Sequence, residues 1–499
     1  MRRVGILLLA MVVATMIMSY GQEDEIGPVR PAVGLVKFDL WLQYLGTASG
    51  EKVPRAVTLA MGKKSIVDAK NLGIKYFRIA ASGYSHRDLL IWQANPEKYW
   101  EKFDEMIVDL HRNNIKIIPT VVWWIRQFPL LAKENTHTFL TDRNSKSRSL
   151  LNQYMTELVL RYRDSDDILF WEMGNEWDLD AELDIDRRFK LKGENFTSDE
   201  LINFTLEFTK ELRSLDPSRM ISSGFYGSRR TAVHLQRQPE WSENGPDWTE
   251  DSMGEFIKNL LEMHKAFDII SYHPYNFCEN ADCTSRDNER FSIRGSDNAD
   301  ILDIVKAIAD AAGKLLFLGE FGDNDPSIPQ DGEGRFTQSV LRKIVSLRIP
   351  FSALWGWQYY PNFPYYVAYE QLYTLEPGMT DFILTKLKDT NQILGWPTVV
   401  ENPDVTPPQI VLTYPFNRAR LLADQIIYAG ASDNDKVERV EFWLDREKLD
   451  VLYAAPYQTI LKREKFLTRS GGGLLVAVAY DRTGNSTKSW IRISFAQLF

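Results

Sequence analysis

The sequence predicts a (β/α)8 TIM barrel followed by a small all-β sandwich. The chain has 499 residues, of which 44% are hydrophobic and 25% are charged, the composition of a folded globular protein. Eight short β-rich runs alternate with helix-like stretches between residues 30 and 395. After Trp396 the texture changes to a proline-marked linker and short alternating strands. We therefore expect a barrel domain at 22–400 and a sandwich domain at 401–499.

The barrel rests on eight strand candidates, each followed by a helical or loop-plus-helix stretch. They are Gly34–Leu40, Tyr76–Ala80, Lys116–Trp124, Ile168–Met173, Met220–Phe225, Asp268–Tyr272, Leu315–Gly319 and Phe351–Trp357. Apolar residues at helical spacing predict helices near Asn95–His111, Leu201–Leu215 and Ile301–Ala312. Alternating β and α units form a parallel sheet, and eight of them close it into a barrel. A doubly wound open sheet is the alternative, but it needs a glycine-rich phosphate turn, and no GxGxxG follows the first strand.

The second domain is predicted from five short strands with turn residues between them. These strands are Gln409–Tyr414, Leu421–Ala431, Val437–Leu444, Leu474–Tyr480 and Trp490–Phe495. About 95 residues of such strands indicate a β-sandwich.

The first 21 residues read as a secretory signal peptide. Two arginines precede an uncharged run from Val4 to Met18, which is shorter than the roughly 20 apolar residues of a membrane span. A retained anchor is the alternative. We expect a secreted, periplasmic or cell-surface protein without a membrane span after removal of the signal. In such a compartment Cys278 and Cys283, the two cysteines of the chain, are expected to form a disulfide.

Charge and motif content exclude several functions. A formal net charge of −9 argues against a nucleic-acid partner, which would call for a basic face. The six histidines are scattered without HxH or HExxH, so no metal site and no cofactor are predicted. A serine hydrolase would need GxSxG, and that run does not occur.

The candidate chemistry lies where strands end. Glu176 follows the fourth strand and Glu320 follows the seventh, so both would face one cleft at the carboxyl end of a barrel. A retaining glycosidase needs two carboxylates roughly 5 Å apart, one as acid/base and one as nucleophile. Arg78 and Tyr275 could keep the nucleophile ionised, while Trp177 and other aromatic residues could keep the acid protonated.

These strand-end motifs, WEMGNEW, HPY, LGEFG and LWGWQYY, resemble those of the retaining glycoside hydrolases of the cellulase superfamily (clan A, especially family 5). The resemblance covers roughly residues 30–395. It implies that Glu176 is the acid/base, Glu320 the nucleophile and Asn175 the residue that binds the sugar 2-hydroxyl. It further implies that Arg78, His273 and Tyr275 position the nucleophile, and that Trp357 forms the aromatic floor of the −1 subsite.

The sequence departs from the family pattern at two places. Trp177 stands where many members have proline after the acid/base, and Trp123–Trp124 stand where many cellulases have histidine after the third strand. The His-x-Tyr pair and the Trp-Gln ending favour mannanase-like members. The expected function is a secreted retaining endo-β-glycosidase acting on a β-linked polysaccharide or oligosaccharide, β-mannan or β-glucan. The alternatives are an exo-acting β-glycosidase of the same clan and an inactive carbohydrate-binding barrel.

Aromatic residues near the strand ends predict a polymer substrate bound along an open cleft. They are Trp123, Trp124, Trp177, Trp241, Trp248, Trp355, Trp357, Tyr359 and Tyr360. Strand alternation places Trp355 and Trp357 on one side and Trp123 and Trp124 on opposite sides. We expect Trp357 to lie under the reacting sugar and one of Trp123 and Trp124 to serve a neighbouring subsite.

The C-terminal sequence resembles a bacterial Ig-like module in its motifs ASDN, VEFW, APY and AYDRTGN. The resemblance implies a domain that binds carbohydrate or acts as a spacer, or one that stabilises the enzyme passively.

Overall fold

The computed structural model describes residues 30–47, 55–275, 291, 298–322, 334–357, 379–396, 406–434, 436–445, 447–466, 471–481 and 485–495. The predicted signal peptide, the pair Cys278 and Cys283, and Tyr359 and Tyr360 lie outside these residues. The chain divides into two compact units between Thr398 and Val399. In the part of the chain that is described, no helix is both long and apolar enough to cross a membrane.

The first unit is a closed barrel of eight parallel strands in chain order, so the predicted fold class is confirmed. The strands are β1 (Ala32–Val36), β2 (Tyr76–Ala80), β3 (Lys116–Val122), β4 (Trp171–Gly174), β5 (Ile221–Ser222), β6 (Ile269–Tyr272), β7 (Leu315–Phe321) and β8 (Phe351–Leu354). The barrel closes where β8 pairs with β1, with Phe351 opposite Ala32 and Leu354 opposite Leu35. Closure excludes the doubly wound open sheet.

The α-helices of this unit fill the connections between the strands. They are α1 (Leu40–Leu45), α2 (Arg55–Asn71), α3 (His86–Ala94), α4 (Pro96–Arg112), α5 (Gln127–Ala132), α6 (Thr136–Thr141), α7 (Lys146–Tyr162), α8 (Ile185–Phe189), α9 (Ser198–Leu215), α10 (Ala232–Arg237), α11 (Met253–Met263), α12 (Ile301–Ala311), α13 (Arg335–Leu347) and α14 (Met379–Ile393). The three helices predicted from spacing correspond to α4, α9 and α12. Thr197 and Glu200 form a capping box at the start of α9, which explains why it begins at Ser198.

The first strand is shorter than predicted. Residues Gly34–Leu40 were expected to be extended, but β1 ends at Val36 and Leu40 begins α1. The apolar residues Val36, Phe38 and Leu40 alternate with the charged residues Lys37 and Asp39, which is the pattern of a half-buried strand. In the structure Lys37 and Asp39 are both buried and paired at 2.6 Å, so the alternation reflects an internal ion pair between β1 and α1 and not a solvent-facing side of a strand.

Residues on the interior face of the barrel pack across it. Phe170, which precedes β4, lies 5.2 Å from Phe317 of β7 and 4.9 Å from Phe351 of β8 between ring centroids. On β2 the neighbours of Arg78, Phe77 and Ile79, join the larger core between the barrel and its helices. Because side chains alternate along a strand, Arg78 points into the barrel. Arg78 is the central residue of the site described below.

The seam between β1 and β8 is fixed from both sides. Inside, the Tyr76 hydroxyl donates to the Ser352 carbonyl at 2.8 Å, and a Cβ on Gly34 would lie 2.5 Å from the Tyr76 ring. Outside, the buried Asn391 amide of α14 accepts from the Val33 N–H at 2.8 Å and donates to the Val33 carbonyl at 2.9 Å. The last described helix of the unit therefore holds the strand that closes the barrel.

The second unit is a sandwich of two sheets. Its strands are β9 (Gln409–Tyr414), β10 (Ala419–Leu421), β11 (Gln425–Ser432), β12 (Val437–Leu444), β13 (Glu447–Leu452), β14 (Tyr457–Leu461), β15 (Gly472–Asp481) and β16 (Ser486–Phe495). One sheet has the order β9-β11-β14 and the other β10-β16-β15-β12-β13. The predicted sandwich is confirmed, but the strand predicted at Leu421–Ala431 begins at Gln425, and three strands, β10, β13 and β14, were missed. They are edge strands with few fully buried residues, so their hydrophobic alternation is weak.

The two hydrogen bonds between the Asn391 side chain and the backbone of Val33 predict that Asn391→Ala lowers the stability of the barrel. Removing the amide leaves a buried N–H and a buried C=O of β1 without these partners, which should cost about 2 kcal/mol. Urea unfolding followed by tryptophan fluorescence measures the change in the barrel. Asp389→Ala, at an exposed position of the same helix, is the matched control and should cost much less. Equal unfolding curves for Asn391→Ala and the control would contradict a stabilising role of the Asn391 hydrogen bonds.

Candidate active site

The segment after β4 places Glu176 in an unusual backbone conformation. Glu176 has φ 54°, in the left-handed region, and its N–H donates to the Gly224 carbonyl at 2.8 Å. The preceding Asn175 N–H donates to the Trp123 carbonyl at 3.1 Å. A non-glycine residue in this region is uncommon and is maintained only where its surroundings determine it. Hydrogen bonds to the ends of β3 and β5 thus aim Glu176 over the barrel.

Trp177 anchors this segment from below. Its indole is buried against Phe139 and Phe204, at 6.2 and 5.7 Å between ring centroids. A Cβ on Gly174 would lie 2.6 Å from the indole, so only glycine fits there. Trp177 was one of the aromatic candidates near the cleft, and the structure places its rings in the core between barrel and helices, where they offer no face to a sugar.

Arg78 is the centre of the hydrogen-bonded site. Its Nε donates to Glu172 at 2.7 Å, Nη1 donates to Glu320 at 2.8 Å, and Nη2 donates to the Asn175 Oδ1 at 2.8 Å. Its guanidinium also lies 4.9 Å from the centre of the Trp123 ring. Arg78 and Glu172 are fully buried, so one planar cation fixes three side chains on two strands in a water-poor interior.

Glu320, at the end of β7, is held at both carboxylate oxygens. Arg78 donates to Oε1, and the Tyr275 hydroxyl donates to Oε2 at 2.8 Å. Burial raises the pKa of Glu320, and repulsion from the Glu176 carboxylate raises it further. His273, Arg78 and the Tyr275 hydroxyl oppose this shift because they stabilise the charged form. Glu320 is therefore an oriented carboxylate whose ionisation depends on its donors.

His273 connects the two carboxylates. Its Nδ1 lies 2.8 Å from Oε1 of Glu176 and 3.9 Å from Oε2 of Glu320. One carboxylate oxygen of Glu176, one of Glu320 and a ring nitrogen of His273 all lie within 4.8 Å of one another. The Glu176 side chain is 21% exposed and that of Glu320 is 5% exposed. The more accessible carboxylate thus lies beside the more enclosed one.

The charge of this group does not favour a cation. The atom types of Glu176, His273 and Glu320 are those that bind metals, but the Arg78 guanidinium at Glu320 already supplies positive charge there. A second group with suitable spacing consists of His234, Asp251 and Glu255. There Asp251 accepts from the Val233 and His234 N–H groups, and Glu255 caps α11. Both sets have other functions in the fold, and we assign no metal to either.

The structure corrects the role expected for Trp357. Its side chain is 6% exposed and packs against Phe77 in the core between barrel and helices, so it does not lie under a sugar in the barrel mouth. Trp355 lies on the interior side instead, 5.5 Å from Phe38 and 6.3 Å from Trp123 between ring centroids, in stacked arrangements. The expected alternation fails because β8 ends at Leu354, before both tryptophans.

Trp123 and Trp124 do point to different environments, as predicted. Trp123 is 4% exposed and belongs to the interior stack, beneath the Arg78 guanidinium. Trp124 is 38% exposed, with the Arg126 guanidinium 5.2 Å from its ring centre. Of the two, Trp124 offers a face to a ligand. Trp241 and Trp248 are both partly exposed.

Sequence reasoning missed two acidic residues of the site. Glu172 lies inside β4, opposite Thr120 of β3, and binds Arg78. A signal existed, since Glu172 is an acidic residue within an otherwise apolar strand. Asp178, two residues after Glu176, was passed over because nothing local to it in the sequence shows what it contacts.

Comparisons with known proteins agree on the catalytic family. The family model described as Cellulase (glycosyl hydrolase family 5) matches residues 52–359, and the bacterial Ig domain model matches residues 408–470. Mannan endo-1,4-beta-mannosidase F of Aspergillus clavatus is 27% identical over 229 residues, 45% of this chain and 44% of that protein. The enzyme of the same name from Aspergillus fumigatus is 28% identical over 182 residues, 36% of this chain and 34% of that protein.

Among solved structures, the endo-beta-1,4-mannanase from Thermotoga petrophila is 16% identical, with a TM-score of 0.49 over 95% of this chain and 99% of that chain. The chain spans less than half the length of the curated relatives it matches. The family model, in contrast, matches more than half of the chain and includes every strand-end residue from Arg78 to Trp357. The chain belongs to glycosyl hydrolase family 5 and carries a C-terminal bacterial Ig domain.

Proposed function

We propose that the protein is a retaining endo-β-glycosidase that hydrolyses β-mannan by double displacement through a glycosyl-enzyme. The observation that carries the mechanism is the separation of the carboxylates, whose closest oxygens lie within 4.8 Å. Retaining enzymes hold their two carboxyl groups about 5–5.5 Å apart, whereas inverting enzymes leave roughly 6.5–9.5 Å for a water molecule. An inactive barrel would have no use for this paired arrangement.

In the first step Glu320 attacks the anomeric carbon while Glu176 donates its proton to the glycosidic oxygen. The bond to the leaving sugar breaks, and an ester bond joins the sugar to Glu320. In the second step the Glu176 carboxylate takes a proton from water, and the hydroxide oxygen attacks the same carbon. The ester bond breaks, Glu320 leaves as a carboxylate, and Glu176 is again protonated.

The surroundings support this division of roles. Glu320 receives a guanidinium and a phenol hydroxyl, which favour its ionised form and orient it for attack. Glu176 is more exposed and lies beside His273, as suits a group that exchanges protons with substrate and water. Since the Asn175 Oδ1 accepts from Arg78, its NH2 group remains to donate to a sugar hydroxyl.

The proposed substrate rests on similarity and on the aromatic residues. Both matched Aspergillus proteins are mannan endo-1,4-beta-mannosidases by name. The exposed face of Trp124, close in sequence to the interior stack, is suited to a sugar ring beyond the reacting one. We further propose export of the protein by its N-terminal signal. An exo-acting enzyme remains the alternative, and the dependence of kcat/KM on substrate length distinguishes it from an endo-acting one.

The division of roles predicts different losses in two variants. Glu320→Gln should abolish turnover because no glycosyl-enzyme can form. Glu176→Ala should lose activity on mannan but keep it on substrates with activated leaving groups, since these need no proton. Added azide should then accelerate Glu176→Ala and yield a β-glycosyl azide. Full activity in Glu320→Gln would rule out the mechanism.

The donors to Glu320 predict a change in pH dependence. Tyr275→Phe removes a hydrogen bond to the charged form, so the pKa of Glu320 should rise further. Because activity is lost as pH falls through this pKa, the acid limb of kcat/KM should move to higher pH, by roughly half to one unit. Tyr162→Phe, which removes a similar bond to Asp104 on the outside of the barrel, is the matched control. An unshifted acid limb in Tyr275→Phe would contradict the role of its hydroxyl.

The exposed tryptophan predicts a dependence on substrate length. Trp124→Ala should lower kcat/KM for mannopentaose and mannohexaose about tenfold, as expected for an aromatic contact of about 1–2 kcal/mol, and leave mannobiose nearly unaffected. Trp490→Ala, at an exposed tryptophan of the second unit, serves as the control on these soluble substrates. If the wild-type rate does not rise from disaccharide to hexasaccharide, the endo-acting reading is wrong.

A further inference from the structure

A second carboxylate follows the acid/base in the turn Trp177–Leu179. Asp178 accepts hydrogen bonds from the N–H groups of Tyr226 at 3.0 Å and Gly227 at 3.3 Å, in the loop after β5. Gly227 has φ 122°, and a Cβ there would lie 2.7 Å from the Tyr272 ring, so the path of this loop requires glycine. Asp178 thereby fastens the turn after Glu176 to the neighbouring loop.

The fastened loop reaches back to Glu176 through His273. The Tyr226 carbonyl accepts the backbone N–H of His273 at 3.0 Å, and the His273 Nδ1 lies 2.8 Å from the Glu176 carboxylate. A displacement of Tyr226 would therefore move His273 relative to Glu176. Asp178 is therefore linked, through the backbone of Tyr226 and the side chain of His273, to the carboxylate of Glu176.

Asp178 and Glu176 also interact through charge. Burial and repulsion by Glu176 together raise the pKa of Asp178 to about 7, against the opposing effect of its N–H donors. Repulsion between two carboxylates is mutual, so an ionised Asp178 disfavours the ionised form of Glu176. A general acid benefits from such a neighbour because it must hold its proton until the leaving group departs.

The two other carboxylates near Glu176, those of Glu320 and Asp180, have cationic partners of their own. Glu320 is paired with Arg78, and His273 contacts Glu176 directly. Asp180 also acts on Glu176, but three arginines, Arg126, Arg188 and Arg229, stabilise its charge. The hydrogen-bond donors to Asp178 are neutral backbone groups. Its negative charge is thus the one least compensated by its partners.

We propose that Asp178 is a positioning residue for the acid/base Glu176 and fixes His273 against it through Tyr226. This inference rests on the proposed function, since it assigns Glu176 as the proton donor.

The test compares Asp178→Asn, which removes the charge, with Asp178→Ala, which removes the acceptors as well. In both, the basic limb of kcat/KM on mannohexaose should move to lower pH by about one unit, the size of a nearby charge effect at an interior site. In Asp178→Ala, kcat on mannohexaose should also fall about tenfold or more, as for impaired acid catalysis. A dinitrophenyl mannobioside, whose leaving group needs no proton, should be cleaved at close to the wild-type rate.

Asp184→Asn is the matched control, because it changes the same residue type in the same loop and asparagine caps a helix as well as aspartate. Its pH profile should equal that of the wild type. If the basic limb is unshifted in Asp178→Asn, or if both substrates lose rate equally, the inference is overturned while the proposed function stands. Full activity of Glu176→Ala on mannohexaose would overturn the proposed function and this inference together.

Discussion

The buried guanidinium of Arg78 is the interaction on which the site depends. It bonds to Glu172, Glu320 and Asn175 in one plane, and it lies on the Trp123 ring. A cation this deeply buried persists only when its charge and its donors are satisfied, and removing one partner of a buried pair typically costs 3–5 kcal/mol, as an order of magnitude. Closure of the barrel brings β2, β4 and β7 around this one side chain. Closure of the barrel therefore assembles the site, and the hydrogen bonds of Arg78 in turn hold these strands together.

The barrel, its strand order and the strand-end carboxylates could be predicted because they follow from periodicity and from the position of strand ends. The boundary between β1 and α1 was predicted wrongly because the buried ion pair of Lys37 and Asp39 gives this segment a strand-like alternation. The placement of Trp357 failed because alternation holds only inside a strand, and β8 ends three residues earlier. Edge strands β10, β13 and β14 were missed because little of their surface is buried. Asp178 could not be recognised, since its partners, the N–H groups of Tyr226 and Gly227, are supplied by backbone distant in sequence.

The two carboxylates of the site are held in different ways. Glu320 is enclosed and held by two donors, whereas Glu176 lies in a left-handed turn that is fastened to the ends of β3 and β5. Each carboxylate raises the cost of ionising the other, and Arg78 decides which of them bears the charge by contacting only Glu320 among the pair. Such opposed environments are the general way in which one site supplies both an acid and a nucleophile.

The most direct test of the central claim is to trap the proposed intermediate. Incubation with a 2-deoxy-2-fluoro mannosyl substrate carrying an activated leaving group should inactivate the enzyme, because the fluorine slows release of the glycosyl-enzyme. Mass spectrometry of proteolytic peptides should then locate one added sugar on Glu320, and NMR of the ordinary reaction should show a β-anomer as the first product. A label on another residue, or an α-anomer as the first product, would contradict the account.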